Sequence, residues 1–307
     1  MPYKEDFPLY QCAPNFSEGR DHDIISRIAR VISNTSGIDL RDFSADPDHN
    51  RCVMTFIGCW EAVHVAALAA TGVAIESIDM NRHSGVHPRI GAIDVIPIIP
   101  IRGASREMAA ELARTIGYEI AERYDLPVYF YEWASFQGRT SALPELRRGE
   151  FENLIRGELS GVKTPDAGPA HAHPTAGAVV VGARGPLVAY NVNLAESDDR
   201  IAKKIASQLR KDRSIIPELA GVRALGLFLE RKGLSQVSMN LTQPREACLP
   251  DVFQYVRNMA SELGIREVES EIIGVIPPSA LGSVSPESIG WHDFKPGQIL
   301  PFEPETV

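Results

Sequence analysis

Residues 78–100 read IDMNRHSGVHPRIGAIDVIPIIP, and they join a polar loop to a run of apolar residues. The apolar run begins at Ile93 and predicts a buried strand, 93–101, which the loop leads into. Gly85 allows backbone angles closed to other residues, whereas Pro88 fixes its own φ angle and biases His87 away from helix. The pattern therefore predicts a stiff loop anchored on a buried strand, which is a good platform for catalytic side chains.

The polar residues of this loop are open to three interpretations. His83 and His87 are four residues apart, the spacing of a zinc-binding pair on a helix, but the glycine and proline of the loop disfavour that helix. A neutral histidine can instead take a proton from an attacking amine and return it to a leaving nitrogen, because its ordinary pKa is about 6.5. Arg82 and Arg89 would then suit carboxylate binding. A plain structural loop is the third possibility.

The composition is that of a globular protein. Of 307 residues, 44% are hydrophobic and 23% charged, and the length suits two domains with a core each. No apolar run approaches the twenty or so residues needed to cross a bilayer, and the N-terminus lacks a signal-peptide pattern, so we expect a cytoplasmic protein without membrane contacts. The net charge of -9 disfavours a nucleic-acid partner.

The cysteines indicate a reducing compartment. The chain has four, which form no CxxC pair and lie mostly in apolar, strand-like surroundings: Cys12, Cys52, Cys59 and Cys248. Such residues are typical of buried, reduced thiols.

The first half predicts the element order βαββαβ of a ferredoxin-like domain. Its elements are strand 9–13, helix 22–33, strands 38–43 and 52–57, helix 60–70 and strand 73–78. A strand at 93–100, a helix at 105–124 and a strand at 127–131 extend it. Residues 135–176 are rich in glycine, proline and turn residues, which predicts a surface excursion with a short helix at 149–156.

The second half predicts βαββαβ again, without a residue-level repeat. Its elements are a strand 178–181 continuing to 187–194, helix 198–211, strands 222–229 and 234–240, helix 246–263 and strand 267–276. We therefore expect an α/β (α+β) chain of two ferredoxin-like sandwich subdomains, residues 1–178 and 179–307, with a groove between them. The tail 277–307 should pack across the surface.

Seven segments, distributed through both halves, together resemble the glutamate formimidoyltransferase family, whether stand-alone bacterial enzymes or the transferase part of formimidoyltransferase-cyclodeaminase. They are PNFSEG (14–19), DPDHNR (46–51), IDMNRHSGVHPRIGAIDVIPIIPI (78–101), LPVYFY (126–131), LPELRRGEF (143–151), AGPAHAHPTAGAVVVGAR (167–184) and AYNVNL (189–194). HPRIGAIDV is the most specific part, because it is far longer than a short glycine pattern.

The resemblance implies that a formimidoyl group moves between N-formimidoyl-L-glutamate and tetrahydrofolate, giving 5-formimidoyltetrahydrofolate and L-glutamate. Tetrahydrofolate would be a carrier substrate, no metal would take part, and the enzyme would be a homodimer that serves one-carbon metabolism in histidine degradation. The position that matches the family's catalytic histidine is His87, as general acid and base.

The resemblance also favours a set of substrate and folate contacts. Those in the first half are Asp46, Asn50, Arg51, Arg82, His83 and Arg89, and those in the glycine-rich segment are Gly168, Pro169, Ala170, His171, Ala172, His173, Pro174, Thr175, Ala176 and Gly177. Without the resemblance, the first three read as a turn that bonds its own backbone, and the two histidines of the segment as part of a linker.

Three residues of the second half are weaker candidates. Arg210 lies on a helix whose charged face usually meets solvent, although a folate glutamate tail would need a cation of this kind. Asn191 and Asn193 alternate along a strand and share one face. His22, His49, His64 and His292 are scattered, and no chemistry is assigned to them.

The chain departs from the family pattern at two places. Ser84 and Val86 stand where the family usually has a basic and an acidic residue, and Glu132 and Trp133 stand where it has Gly-Glu. The first change removes a possible partner of the catalytic histidine or of the substrate. It leaves open a related transferase with another formimidoyl or formyl donor, or a folate-binding module without catalysis.

Overall fold

The computed structural model describes residues 7–157, 159–243 and 248–305. They divide into two compact units, one of residues up to Gly185 together with Glu305, the other of residues 186–304. Each unit is built on one β-sheet with helices, so the prediction of a two-part α+β chain is confirmed. No helix in the described ranges combines the length and the apolar character needed to cross a membrane.

The first unit contains strands, helices and short connecting turns. Its strands are β1 (Leu9–Cys12), β2 (Asn15–Phe16), β3 (Asp39–Asp46), β4 (Arg51–Gly58), β5 (Ile93–Arg102), β6 (Val128–Glu132) and β7 (Val179–Ala183). Its helices are α1 (His22–Ser33), α2 (Trp60–Ser77), α3 (Arg106–Tyr124), α4 (Leu143–Leu146) and α5 (Glu150–Leu154). A 3₁₀ turn, Met80–Arg82, leads into the histidine loop.

Strand order places the histidine loop beside the middle of this sheet. β3 pairs with β4, β4 with both β1 and β2, and these two with β5, in antiparallel fashion. β5 then pairs with β7, and β7 with β6, in parallel. β5 is buried along nearly its whole length, which is what its continuous apolar sequence predicts for a central strand. The loop that precedes it is therefore fixed to the core.

One strand expected from the sequence is wrong. A strand is predicted at residues 73–78, but α2 continues to Ser77. Alanine is a strong helix former, several alanines of α2 are buried, and the hydroxyl of Tyr124 donates to the carbonyl of Leu68, 3.0 Å away. Packing against α1 and α3 thus overrides local strand propensity. β5 takes the place of the missing strand.

A second expectation is also wrong. The strand at 178–181 was predicted to open the second half, but β7 lies in the first sheet between β5 and β6. All of its residues are buried, as expected of a strand covered on both faces. An apolar run does not specify its neighbours, so the sequence alone could not assign this strand to a sheet.

The second unit follows the predicted order closely. Its strands are β8 (Val188–Leu194), β9 (Val222–Leu229), β10 (Leu234–Leu241) and β11 (Val268–Ile273), and its helices are α6 (Asp199–Asp212), α7 (Leu249–Glu262) and α8 (Pro278–Leu281). The antiparallel sheet has the order β11, β8, β10, β9. Residues 244–247, where α7 was expected to begin, lie outside the described residues. Trp291, in the tail expected on the surface, is fully buried in the core of this unit.

Candidate functional site

The turn between β3 and β4 holds the histidine loop in place. The side chain of Asn50, whose φ is +49°, donates to the carbonyl of Ser84 at 2.9 Å and accepts from the backbone N–H of Gly19 at 3.0 Å. A Cβ atom on Gly85 would lie 2.3 Å from the carbonyl oxygen of His49. Only glycine allows this approach, so Gly85 serves the packing of the loop on the turn.

His87 contacts His49 of the same turn and Arg51, the first residue of β4. Its Nε2 atom lies 2.7 Å from Nη1 of Arg51, and its ring stacks on that of His49 with centroids 5.9 Å apart. A guanidinium group has donors and no acceptor, so Arg51 donates and Nε2 accepts. The imidazole is therefore neutral, with its proton on Nδ1.

The surroundings of His87 keep it neutral. Burial lowers its pKa below the ordinary value, and the nearby positive charges of Arg51 and Arg147, followed by His49, lower it further. A hydrogen bond with the Pro88 backbone acts in the opposite direction and is outweighed. Desolvation and like charge both disfavour imidazolium, so the resting state offers a base rather than an acid.

Arg89 is bound by two glutamates of α5. Its Nη1 and Nη2 atoms lie 2.5 Å from Glu150 and 2.6 Å from Glu152, respectively, and its side chain is only 7% exposed. Burial alone would lower the pKa of Arg89, but its hydrogen bonds to the carboxylates of Glu152 and Glu150, together with their negative charge, raise it. The Nε atom donates to Nδ1 of His83 at 3.1 Å. In this structure the guanidinium of Arg89 is therefore engaged by protein side chains.

His83 is fixed through both ring nitrogens. Because Nδ1 accepts from Arg89, the proton lies on Nε2, which donates to the carbonyl of Asn50 at 2.8 Å. Burial lowers the pKa of His83, with Arg89 adding to that effect, while the bond to Asn50 opposes it. His83 is thus a neutral link between the loop and the turn.

A second arginine–carboxylate pair lies beneath the loop. Asp94, buried in β5, accepts from the backbone N–H of Ile90 at 3.0 Å and contacts the guanidinium of Arg147. Asp94 also borders a cavity of about 10 Å³, which has room for roughly one water molecule. The cavity is lined by Asn15, Phe16, Ser17, His49, Asn50, Arg51, His83, His87, Arg89 and Asp94.

The end of the glycine-rich segment, 168–177, lies beside the histidine loop. Gly177 bridges to Gly91, and the carbonyl of Thr175 accepts from the backbone of Met80 at 2.8 Å. His173 closes a tight turn, since its Nδ1 accepts from the backbone N–H of Ala176 at 3.0 Å. Burial lowers the pKa of His173. The structure thus brings together two segments that are about ninety positions apart.

The start of this segment is more exposed. Pro169, Ala172 and His173 are partly buried, whereas Gly168, Ala170, His171 and Pro174 are exposed. The carbonyl of Ala170 accepts from Leu159 at 2.7 Å. Exposed residues next to the loop remain available for a ligand.

The other expected site residues have varied roles. The Asp46 carboxylate accepts from the backbone N–H groups of Asp48 and His49 at 2.9 and 2.8 Å, which fits the expected turn. Arg82 is exposed at the end of its 3₁₀ turn. Arg210, in the second unit, donates to the carbonyl of Ala224 at 2.7 Å.

The two asparagines of β8 belong to a polar network in the second sheet. Asn191 donates to Glu271 at 3.0 Å, and Gln236 donates to both Glu271 and Asn193, at 3.0 and 2.8 Å. Since both partners of the Gln236 amide nitrogen accept, the orientation of this amide is fixed. A shared polar face, as predicted from the alternation, is present here.

Sequence reasoning missed several residues around His87. His49 had been assigned no chemistry, and the roles of Asp94, Arg147, Glu150 and Glu152 were not foreseen. One signal was available for Asp94, because it is the sole charged residue within the apolar run 93–101. His49, Arg147 and Glu150 belong to segments that carried the family resemblance, and Glu152 directly follows one of them, but their partners are distant in sequence.

Two family models match the chain. Residues 9–184 match the N-terminal subdomain of the formiminotransferase domain, and residues 189–286 match the formiminotransferase domain. The chain therefore belongs to the formiminotransferase family. The resemblance noted in the sequence is confirmed, and His87 lies within the first match.

Similar proteins cover nearly all of the chain. It is 40% identical over 295 residues to a glutamate formimidoyltransferase of Thermoplasma acidophilum, covering 95% of this chain and 96% of that protein. It is 34% identical over 286 residues to a glutamate formimidoyltransferase of Streptococcus pyogenes serotype M1, covering 93% and 95%. It is also 41% identical over 276 residues to the formimidoyltransferase-cyclodeaminase of Mus musculus, covering 89% of this chain and 51% of that protein.

In the described residues, no group of three or more His, Cys, Asp or Glu side chains is arranged to hold a metal ion. His83 and His87 have other partners, Asn50 with Arg89 and Arg51 respectively.

Proposed function

We propose that the protein is a glutamate formimidoyltransferase, an enzyme that moves a formimidoyl group between N-formimidoyl-L-glutamate and tetrahydrofolate. Relatives with this name match almost the whole chain. The observation that carries the chemistry is the state of His87, a neutral imidazole whose Nε2 is an acceptor beside a cavity. A transfer between two amines needs such a group.

The reaction requires one proton to move from N5 of tetrahydrofolate to the nitrogen of glutamate. N5 of tetrahydrofolate attacks the formimidoyl carbon, and a C–N bond forms as the carbon becomes tetrahedral. Nε2 of His87 takes the proton from N5 and then gives it to the glutamate nitrogen. The bond between the carbon and the protonated glutamate nitrogen then breaks. Its electron pair stays on that nitrogen, and glutamate leaves as the amine. Such general acid–base catalysis is typically worth about 10²–10⁴-fold in rate.

The hydrogen bonds of the loop suit this task. The Nδ1 proton, implied by the bond from Arg51, puts the lone pair on Nε2. Stacking on His49 and the restrained backbone at Pro88 limit rotation of the ring. We assign Arg89 to positioning, through His83 and the two glutamates, and Arg51 and Arg82 to the carboxylates of the substrates.

The folate site is proposed at the glycine-rich segment. Residues 168–177 run beside the loop that carries His87, and several are exposed. Tetrahydrofolate would be a carrier substrate here. Arg210 stays a candidate for its glutamate tail, although its present bond to Ala224 would have to be exchanged.

Turnover tests the proposal directly. Purified protein with tetrahydrofolate and N-formimidoyl-L-glutamate should release L-glutamate and form 5-formimidoyltetrahydrofolate, both measured by mass spectrometry. Calorimetry with tetrahydrofolate separates a folate protein from others. Folate binding without turnover of any formimidoyl or formyl donor would favour a binding module instead, and turnover of a formyl donor alone would favour a related transferase.

The cellular setting belongs to the same proposal. We place the enzyme in the cytoplasm, in the degradation of histidine, as a homodimer of chains whose two units are ferredoxin-like. The strand order of the second unit, β11, β8, β10, β9, supports the ferredoxin-like assignment. Light scattering at micromolar concentration should give twice the chain mass, and a monomer would contradict the dimer.

A further inference from the structure

The nitrogen of His87 that must accept a proton is already in use. Nη1 of Arg51 donates to Nε2 at 2.7 Å, so the lone pair that would act as base is directed at a guanidinium. The cavity next to it has room for about one water molecule. A substrate proton can therefore reach this lone pair only when the Arg51 guanidinium moves off Nε2.

Nearby positive charge further disfavours protonation of His87. Burial lowers the pKa of His87 first, and then Arg51, Arg147 and His49 lower it further. A general base works best when its pKa lies near the working pH. Any change that moves the Arg51 guanidinium away from Nε2, or neutralises it, both frees the lone pair and makes the imidazole more basic.

We propose that a substrate carboxylate binds Arg51 and draws it off Nε2, so that Arg51 is a positioning residue that activates His87 only when an anionic substrate is present. This inference rests on the proposed function and deepens it. It gives the enzyme a reason to prefer carboxylate-bearing donors even where their carboxylates are remote from the reacting carbon.

A carboxylate is a better partner for Arg51 than the imidazole is. Arginine and carboxylate can form two parallel, charge-assisted hydrogen bonds, which are about twice as strong as neutral ones. Nη1 of Arg51 donates to His87 and lies 3.5 Å from Oδ1 of Asn15, and both of these acceptors are neutral. At Arg89 and Arg147 a substrate carboxylate would have to displace the protein carboxylates of Glu150, Glu152 and Asp94.

A further donor is present near His87 for the same anion. The Nε–H of Arg147 is buried and has no acceptor within the part of the chain that the structure describes. A buried donor of this kind normally finds a partner. The charge of Arg147 also acts on His87, so an anion that binds this donor would make the imidazole more basic as well.

Both substrates carry carboxylates, and the experiment must separate them. The glutamate part of the donor is one source, and the glutamate tail of folate is the other. L-glutamate and glutarate represent the first, with L-glutamine as the analogue that lacks the side-chain carboxylate. A comparison of tetrahydrofolate with tetrahydropteroate, which lacks the glutamate tail, tests the second source.

The test is an NMR titration of histidine ring nitrogens in ¹⁵N-labelled protein, with His87→Gln used to assign the signal. In wild type, His87 should stay neutral with Nδ1 protonated down to pH 6 or below, and a carboxylate ligand should raise its pKa. Arg51→Ala should raise the pKa without ligand and abolish the effect of the ligand. Arg123→Ala, which removes a surface charge paired with Glu119, should behave as wild type.

Two outcomes would overturn the inference. One is a His87 signal in Arg51→Ala that titrates as in wild type. The other is a ligand-induced shift that persists unchanged in that variant. Neither measurement needs turnover, so an inactive protein would defeat the proposed function while leaving this result readable. A thermal melt of each variant shows whether the fold is intact.

Steady-state kinetics provide a second readout. Because it removes a hydrogen bond between charged groups, Arg51→Ala should raise KM for N-formimidoyl-L-glutamate about 10- to 100-fold. Formamidine is a donor that has no carboxylate and releases ammonia. In Arg51→Ala its kcat/KM should rise relative to that of the natural donor. An unchanged ratio of kcat/KM between the two donors would contradict a role for Arg51 in carboxylate recognition.

Discussion

Nε of Arg89 donates to Nδ1 of His83 at 3.1 Å, so the single ring proton of His83 lies on Nε2, which donates to the carbonyl of Asn50 at 2.8 Å. The two glutamates of α5 hold the far end of the same guanidinium. One buried side chain therefore connects α5, the histidine loop and the turn after β3. The basic residue that the sequence suggested for substrate binding is a structural centre of the site.

Replacing Arg89 by lysine should not preserve this arrangement. Lysine keeps the charge but lacks the planar fork that reaches two carboxylates and an imidazole at once. We expect Arg89→Lys to lose about 1.5–3 kcal/mol in free energy of unfolding, measured by urea denaturation, and to lower kcat. Arg123→Lys, at an exposed site, is the matched control and should change little. Wild-type stability in Arg89→Lys would show that the buried fork is dispensable.

His87→Ala tests the proton-transfer role. The change should remove about 2.7–5.5 kcal/mol of transition-state stabilisation, or 10²–10⁴-fold in kcat, while calorimetry still detects tetrahydrofolate binding. If His87 only ties down the loop, folate binding and melting temperature should fall together with activity. His22→Ala, at an exposed position that begins α1, is the control. Unchanged kcat at saturating substrate in His87→Ala would rule the role out.

The lowered pKa of His87 predicts an acid-sensitive fold. In the unfolded chain this histidine takes a proton near pH 6.5, whereas in the folded chain burial and neighbouring charges prevent it. The unfolded state then binds more protons, so stability falls as pH drops below 6.5, by up to about 1.4 kcal/mol per pH unit.

Urea unfolding at pH 7.5 and pH 5.5 measures this effect. His87→Gln removes the titrating group and keeps an acceptor for Arg51. Between the two pH values its free energy of unfolding should therefore fall by about 1.4 kcal/mol less than that of wild type. Groups that titrate in both proteins cancel in the comparison. Equal losses would mean that His87 is protonated in the folded protein as readily as in the unfolded one.

Gly91 should be intolerant of any side chain. A Cβ atom there would lie 2.0 Å from the carbonyl oxygen of Ala178 and 2.5 Å from that of Ala176. Since these are backbone atoms, they cannot move aside cheaply, and we expect Gly91→Ala to cost about 3 kcal/mol or more. Gly157→Ala, where a Cβ meets nothing within 4 Å, should leave stability nearly unchanged. The readout is the urea midpoint; equal midpoints would contradict the close contact between the two segments.

By itself the sequence determined the local features of this protein. The loop with His87 and the strand after it, the helix His22–Ser33 and the strand Val222–Leu229 have the predicted bounds or nearly so. Such features follow from periodicity, turn residues and caps, which operate over a few neighbouring positions. The family resemblance also rests on contiguous motifs, so it too could be read without a structure.

Only the tertiary structure decided which groups meet. The partners Arg51 and His87 are 36 positions apart, and Arg89 is 61 and 63 positions from its two glutamates. The sheet that accepts β7 and the extra turns of α2 likewise depend on packing against distant elements. Hydrogen bonds and ion pairs form between polar groups that the fold brings within about 3 Å of each other. A local sequence pattern carries no information about that distance. The state of His87, neutral and held by an arginine, is therefore a property of the folded chain.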